Sequence, residues 1–146
     1  MTLSLARAGA LRVSELAELR EAAQREGFGM LERLAQDWQS GANRFDAPGE
    51  ALFLVHCSGR CIATGGLNRD PFAGAAGVGR LRRLYVAPAE RGRGLGRLLT
   101  RVALAHARPL FSRVRLRTNR AEAARFYEAL GFRRSSEADA THEWLW

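Results

Sequence analysis

The residues best suited to chemistry run from Arg91 to Arg97: Arg91, Gly92, Arg93, Gly94, Leu95, Gly96 and Arg97. A strand-like run, Leu84-Tyr85-Val86, leads into them through Pro88. A helical pattern follows at once, with Leu95, Leu98, Leu99 and Val102 at i, i+3, i+4 and i+7. Glycines therefore sit where a strand hands over to a helix N-terminus. The first amides of a helix lack internal partners, and the macrodipole places partial positive charge there. Gly94 and Gly96 carry no Cβ, so a phosphate can come close to the backbone. No Asp or Glu occupies the first turn to compete with an anion. The chemistry predicted is phosphate binding.

Three kinds of loop use this logic. A Walker A loop needs G-x-x-x-x-G-K-[ST], but Arg97 and Leu98 follow Gly96. A dinucleotide fingerprint counted from Gly92 needs its third glycine at position 97, which is Arg97. Only 50 residues follow Gly96, too few for a six-stranded nucleotide domain. The third pattern, [QR]-x-x-G-x-[GA], is met by Arg91, Gly94 and Gly96. A second segment, Asn119 to Phe132 (NRAEAARFYEALGF), reads as N-x-x-A-x-x-[FL]-Y-x-x-x-G-F. With these two motifs in this order the chain resembles the GNAT superfamily of acetyl-CoA-dependent N-acetyltransferases. The resemblance is specific from about Gly79 to Phe132; before Gly79 it rests on the order of elements.

That resemblance implies a set of roles. The backbone of Leu84, Tyr85 and Val86 would pair with the pantetheine arm of acetyl-CoA as an added strand does. An amide near Val86 would polarise the thioester carbonyl. The amides of Arg91 to Arg97 would hold the pyrophosphate. Tyr127 falls where the family's tyrosine protonates the departing thiolate, although it also belongs to an apolar stripe with Ala123, Phe126 and Leu130. Asn119 falls at a cofactor-contacting position and also suits a helix N-cap, with Glu122 completing a capping box. One position departs from the family. Many members carry Glu eleven residues before the first residue of the loop motif, and this chain has Arg80. An arginine stays protonated and cannot accept the amine's proton. Glu143, Asp139, Glu50, a backbone carbonyl or a water chain are the remaining routes. Arg80 and Arg82, expected on one face of the strand with Arg83 on the other, are read as binding an anionic group of the acceptor.

Composition narrows the rest. The 146 residues suit one ordinary domain, residues 1–146. All 23 basic residues are arginine, so lysine Schiff-base chemistry is excluded. Residues 80–134 hold 15 arginines against Glu90, Glu122 and Glu128, so this half attracts anions. The phosphates of acetyl-CoA satisfy that charge. Nucleic acid is the weaker reading, since few aromatics interleave with the arginines. No apolar run reaches 18 residues, and no signal peptide is read, so no membrane role and a cytoplasmic location are expected. Cys57 and Cys61 flank Ser58-Gly59-Arg60 and read as reduced residues of a hairpin; His56, His106 and His142 complete no metal pattern, and no metal is expected.

These residues need elements to hold them. The spacing predicts a strand over 2–6, helices over 11–26 and 30–39, and a hairpin over 51–57 and 60–67. It then predicts a strand over 79–86, a helix over 95–107, a strand over 113–117, a helix over 121–130, and strands over 132–134 and 141–146. This is a mixed α/β (α+β) order, which the resemblance makes a GNAT fold: a twisted mixed sheet of about six to seven strands with helices on both faces. The expected activity is acetyl transfer from acetyl-CoA to the primary amine of a small molecule or a protein, by direct attack in a ternary complex. The alternatives are a non-catalytic acyl-CoA sensor or a basic nucleic-acid-binding domain. A homodimer is compatible with either enzyme or sensor.

Overall fold

The computed structural model describes residues 2–146. Its strands are β1 (Leu3–Arg7), β2 (Ala51–Cys57), β3 (Arg60–Arg69), β4 (Val78–Val86), β5 (Arg113–Leu116), β6 (Arg133–Arg134) and β7 (His142–Leu145). Its helices are α1 (Ala17–Arg25), α2 (Met30–Ser40), α3 (Leu95–Ala107) and α4 (Ala121–Leu130). The chain order is βααβββαβαββ, as the sequence predicts. The predicted first helix is shorter than expected: Val13–Leu16 is a separate 3-10 turn, and α1 starts at Ala17.

The strands form one seven-stranded sheet in the order β1-β2-β3-β4-β5-β7-β6. Every neighbouring pair is antiparallel except β4 and β5. Strand β2 (ALFLVHC) is nearly all apolar because both of its faces are covered. Phe53, Val55 and Cys57 enter a core shared with Leu95, Leu99, Ala103 and Leu104 of α3. Leu52 and Leu54 enter the opposite core, with Leu19 of α1 and Leu31, Leu34 and Trp38 of α2.

Two cysteines on consecutive strands thus part company. Cys57 lies in the α3 core and Cys61 in the α1–α2 core, both as free thiols. Burial pushes the Cys61 thiol up to about 11, so it stays protonated at neutral pH.

The predicted stripe of α3 also shifts. Leu98 is exposed, whereas Leu95, Leu99, Ala103 and Leu104 are buried. Thr100 is buried as well and donates its hydroxyl to the Gly96 carbonyl at 2.8 Å, which satisfies it inside the helix.

The sheet feature that matters most is where β4 and β5 part. Their parallel pairing covers only Val78–Arg80 against Arg113–Arg115. From Leu81 to Val86 β4 pairs with β3 alone. Its other edge is left with unpaired backbone groups, ready to accept another extended segment. A bulge lies within this stretch. Gly66 faces Arg82 and Thr64 faces Tyr85, so Arg83 and Leu84 share one opposing residue, Gly65. Arg83 takes φ 58°, a left-handed conformation that is uncommon for a non-glycine residue. The Thr64 hydroxyl donates to the Arg83 carbonyl at 2.7 Å and fixes the kink.

Candidate active site

The glycine loop lies at the end of β4, as predicted. A 3-10 turn, Pro88–Glu90, separates it from Val86. Gly92 has φ 84° and Gly94 φ 80°, and Gly94 is the N-cap of α3. A Cβ built at either position would meet nothing within 4 Å, so the space before these amides is open. The first turn of α3 holds no acidic residue. Positive φ, open space and free helix amides fit an anion such as a pyrophosphate. Gly96 serves a different purpose. A Cβ there would press on the Phe126 ring at 3.3 Å, so its absence lets α3 and α4 approach.

Arg91 uses its side chain within the protein. Its Nε donates to the Val86 carbonyl at 3.0 Å, and its two terminal nitrogens donate to Glu26 at 2.9 and 2.6 Å. Tyr85 donates its hydroxyl to the same carboxylate at 2.6 Å. The hydrogen bond from Arg91, joined by that from Tyr85, outweighs burial and holds Glu26 down at about 2. Burial, with the Glu26 hydrogen bond added, pushes the Tyr85 phenol up to about 12. Glu26 ends α1, and no local motif marks it as part of the site. Phe28, two residues on, lies edge-on to Tyr85 and beneath the Arg120 guanidinium, 4.3 Å from the ring centre. The α1–α2 loop is therefore tied both to the glycine loop and to the start of α4. Arg93 is ion-paired with Glu90, while Arg97 is exposed on α3.

Tyr127 is buried on α4 between Phe126 and Phe132, with ring centres 5.1 and 5.4 Å away. Burial raises its hydroxyl pKa, so it carries its proton throughout the neutral range. No protein partner for that hydroxyl occurs among the described residues. Asn119 is exposed just before α4, but it is not the cap. Arg120 holds the N-cap position, with no side-chain cap bond. The capping box predicted from Asn119 and Glu122 does not form, because the helix begins one residue later than that box requires.

Arg80 stands at the position where a carboxylate would be expected, and it is buried. It donates to Asp70 at 3.3 Å and packs over Phe72, 4.8 Å from the ring centre. Arg115, its neighbour on β5, donates to the same Asp70 oxygen at 2.8 Å, and Phe72 donates its amide to the other oxygen at 2.8 Å. Burial alone would raise the Asp70 pKa, but these hydrogen bonds and both arginine charges together lower it. Asp70 is thus ionised and fully engaged. Two of the other carboxylates proposed as bases are also occupied: Glu50 accepts from Asn68 and the Arg69 amide, and Glu143 accepts from Arg113.

The face assignment of the β4 arginines changes. Arg82 lies across from Gly66, where a Cβ would strike Phe45 of the α1–α2 core, so Arg82 shares that face. The bulge turns Arg83 to the same side, where it meets Asp37 of α2 at 3.7 Å. A regular strand would have sent it to the α3 side.

Among the described residues no group of three or more His, Cys, Asp or Glu is placed to hold a metal. Among the described residues no helix is long and apolar enough to cross a membrane.

Comparison with known proteins places the chain in a family and matches its fold. A family model described as an acetyltransferase (GNAT) domain matches residues 48–134. The uncharacterized N-acetyltransferase YjgM of Escherichia coli (strain K12) is 35% identical over 92 residues, 60% of this chain. The match spans about half of that relative, 54% of its length. A crystal structure of a provisionally assigned acetyltransferase from Exiguobacterium sp. 255-15 is 27% identical, with a TM-score of 0.87 over 99% of this chain and 94% of its own. A GNAT-family acetyltransferase from Streptococcus pneumoniae shares the fold at 17% identity, with a TM-score of 0.72 over 99% of this chain and 100% of its own.

Proposed function

The chain belongs to the GNAT acetyltransferase family, and on that premise we propose that it transfers an acetyl group from acetyl-CoA to a primary amine in a ternary complex. The observation that carries this reading is the continuity of two features. The unpaired edge of β4 from Leu81 to Val86 runs directly into a glycine loop whose amides face open space. An extended pantetheine arm suits the first and a pyrophosphate suits the second.

When bound, acetyl-CoA would supply an activated acetyl thioester. The chain's own residues would do the rest. The backbone of Leu84, Tyr85 and Val86 would align the arm, and the amide near Val86 would donate to the carbonyl oxygen that gains charge. The amides from Arg91 to Arg97 would hold the phosphates, with Asn119 at the rim. Tyr127 would release its hydroxyl proton to the sulfur. Burial keeps that proton in place until a stronger base appears beside it. The incoming amine must arrive deprotonated, and β4, with Arg80 at the expected acidic position, offers no carboxylate to take its proton. The positive field of Arg82 and Arg83 would lower the ammonium pKa and perform part of that task.

A catalytically silent acyl-CoA-binding module is the second reading, favoured by Arg80 in place of an acid. Thiol release from acetyl-CoA over a panel of amines separates the two. Release that depends on amine supports the enzyme; tight binding with no release from any amine supports the silent module.

A further inference from the structure

Arg83 is an unusual residue to find at a bulge. Its side chain is only 10% exposed, its backbone has φ 58°, and its Nε is buried with no hydrogen-bond partner. Its carboxylate neighbour, Asp37, lies at 3.7 Å, beyond good hydrogen-bond range, and is itself 37% exposed. An orphaned donor on a buried cation costs stability unless something else satisfies it. Burial first, then repulsion from Arg82 and from Arg33 of α2, lowers its pKa to about 10. The group therefore remains charged at neutral pH, with its charge incompletely matched. Arg82 beside it is half-buried and makes no ion pair among the described residues. Arg80 lies behind them, tied to Asp70 together with Arg115. All three arginines face the α1–α2 side, and Arg83 precedes Val86 by only three residues on the strand. The unmatched charge thus adjoins the stretch of β4 proposed to present the acyl group.

We propose that the acceptor carries an oxyanion, a carboxylate or a phosphate, beside its amine, and that Arg82 and Arg83 at the β4 bulge hold it. This rests on the acetyltransferase reading and names its substrate class. The fork of an arginine matches either oxyanion in a bidentate way. A shift of the Arg83 side chain toward that oxyanion would give its buried Nε the partner it lacks. The same pair would repel a polyamine, which brings only positive charge.

The test compares matched amines on the wild-type protein, with thiol release as readout. One arm sets an α-amino acid against its carboxamide; the other sets phosphoethanolamine against ethanolamine. The anionic member of one arm is expected to have a kcat/KM higher by roughly tenfold or more, the scale of one charge-assisted hydrogen bond. The arm that shows the preference identifies carboxylate or phosphate. Arg82→Gln and Arg83→Gln should each erase the preference by raising acceptor KM, with the KM for acetyl-CoA changed less than about twofold, a shift worth under RT. Arg83 is buried, so Arg83→Lys serves as a second variant that keeps the charge and loses the fork; it should retain part of the preference. Neutral amines that match or exceed their anionic partners in both arms would overturn the inference while leaving the acetyltransferase reading intact. Thiol release from no amine, with acetyl-CoA still bound in calorimetry, would overturn both.

Discussion

Arg91 and Glu26, 65 residues apart, are joined by two hydrogen bonds of 2.9 and 2.6 Å. This fork links the end of α1 to the first residue of the glycine loop. Tyr85 adds a third bond to the same carboxylate, so β4, the loop and the α1–α2 connection are tied at one point.

Glu26→Gln should lower stability at neutral pH by about 1 kcal/mol or less, the range for ion pairs open to solvent. The Glu26 pKa falls from an ordinary 4.5 to about 2 on folding. A depressed carboxylate stabilises the fold above its unfolded value, and that contribution disappears as pH drops through the folded one. The difference in melting temperature between wild type and Glu26→Gln should therefore be full above pH 4.5 and close toward pH 2. A difference that stays constant through this window would show that the fork contributes nothing by charge.

Gly94→Glu should abolish acetyl-CoA binding in calorimetry. A side chain and a negative charge would both enter the space before the α3 amides. Gly94→Ala is the milder control. With φ 80° at this residue, it should cost about 1–2 kcal/mol in stability from the left-handed backbone alone. Undiminished affinity in the glutamate variant would place the phosphates elsewhere.

Tyr127→Phe keeps the ring contacts with Phe126 and Phe132 and removes only the hydroxyl. A kcat lower by roughly 10²–10⁴ is expected, the scale of acid–base catalysis. Acetyl-CoA affinity should hardly change. An unaltered kcat, under conditions where chemistry limits the rate, would leave Tyr127 as a packing residue.

Asp70→Ala should destabilise far more than Arg82→Ala. Asp70 is the shared partner of two buried arginines; its loss leaves Arg80 charged with no ion-pair partner among the described residues and Arg115 with Glu137 alone. Breaking a buried pair this way costs about 3–5 kcal/mol. Arg82 has no ion pair among the described residues to lose, so its removal should stay within about 0.5 kcal/mol. Urea unfolding midpoints of the two variants give the comparison directly, and equal midpoints would contradict the assigned roles.

The elements that hold the site were legible because each carries its own period. The alternation of Arg113 to Leu116, the spacing of α4 and the glycines beside Leu95 are local patterns, and local patterns survive in sequence. The two motifs around Gly94 and Tyr127 were legible for the same reason: a left-handed turn into a helix needs glycines in one short run.

Other features depended on partners far away in the chain. Glu26 has no local sign of function, and only folding brings it to Arg91. Arg80 looked available for a substrate, yet the sheet sets it beside Arg115 with Asp70 between them. Strict alternation puts Arg83 on the face opposite Arg80 and Arg82, but one extra residue in the β3–β4 register turns it to the same side, toward α2. Asn119 has the makings of a cap, but the helix starts after Arg120 instead. The sequence by itself determined the order of elements, the mixed fold and the glycine loop at the start of α3, because periodicity and glycine chemistry act within a few residues. Tertiary structure decided which arginines are matched and which are left over, because charge pairing, bulge placement and burial depend on what the rest of the chain brings alongside.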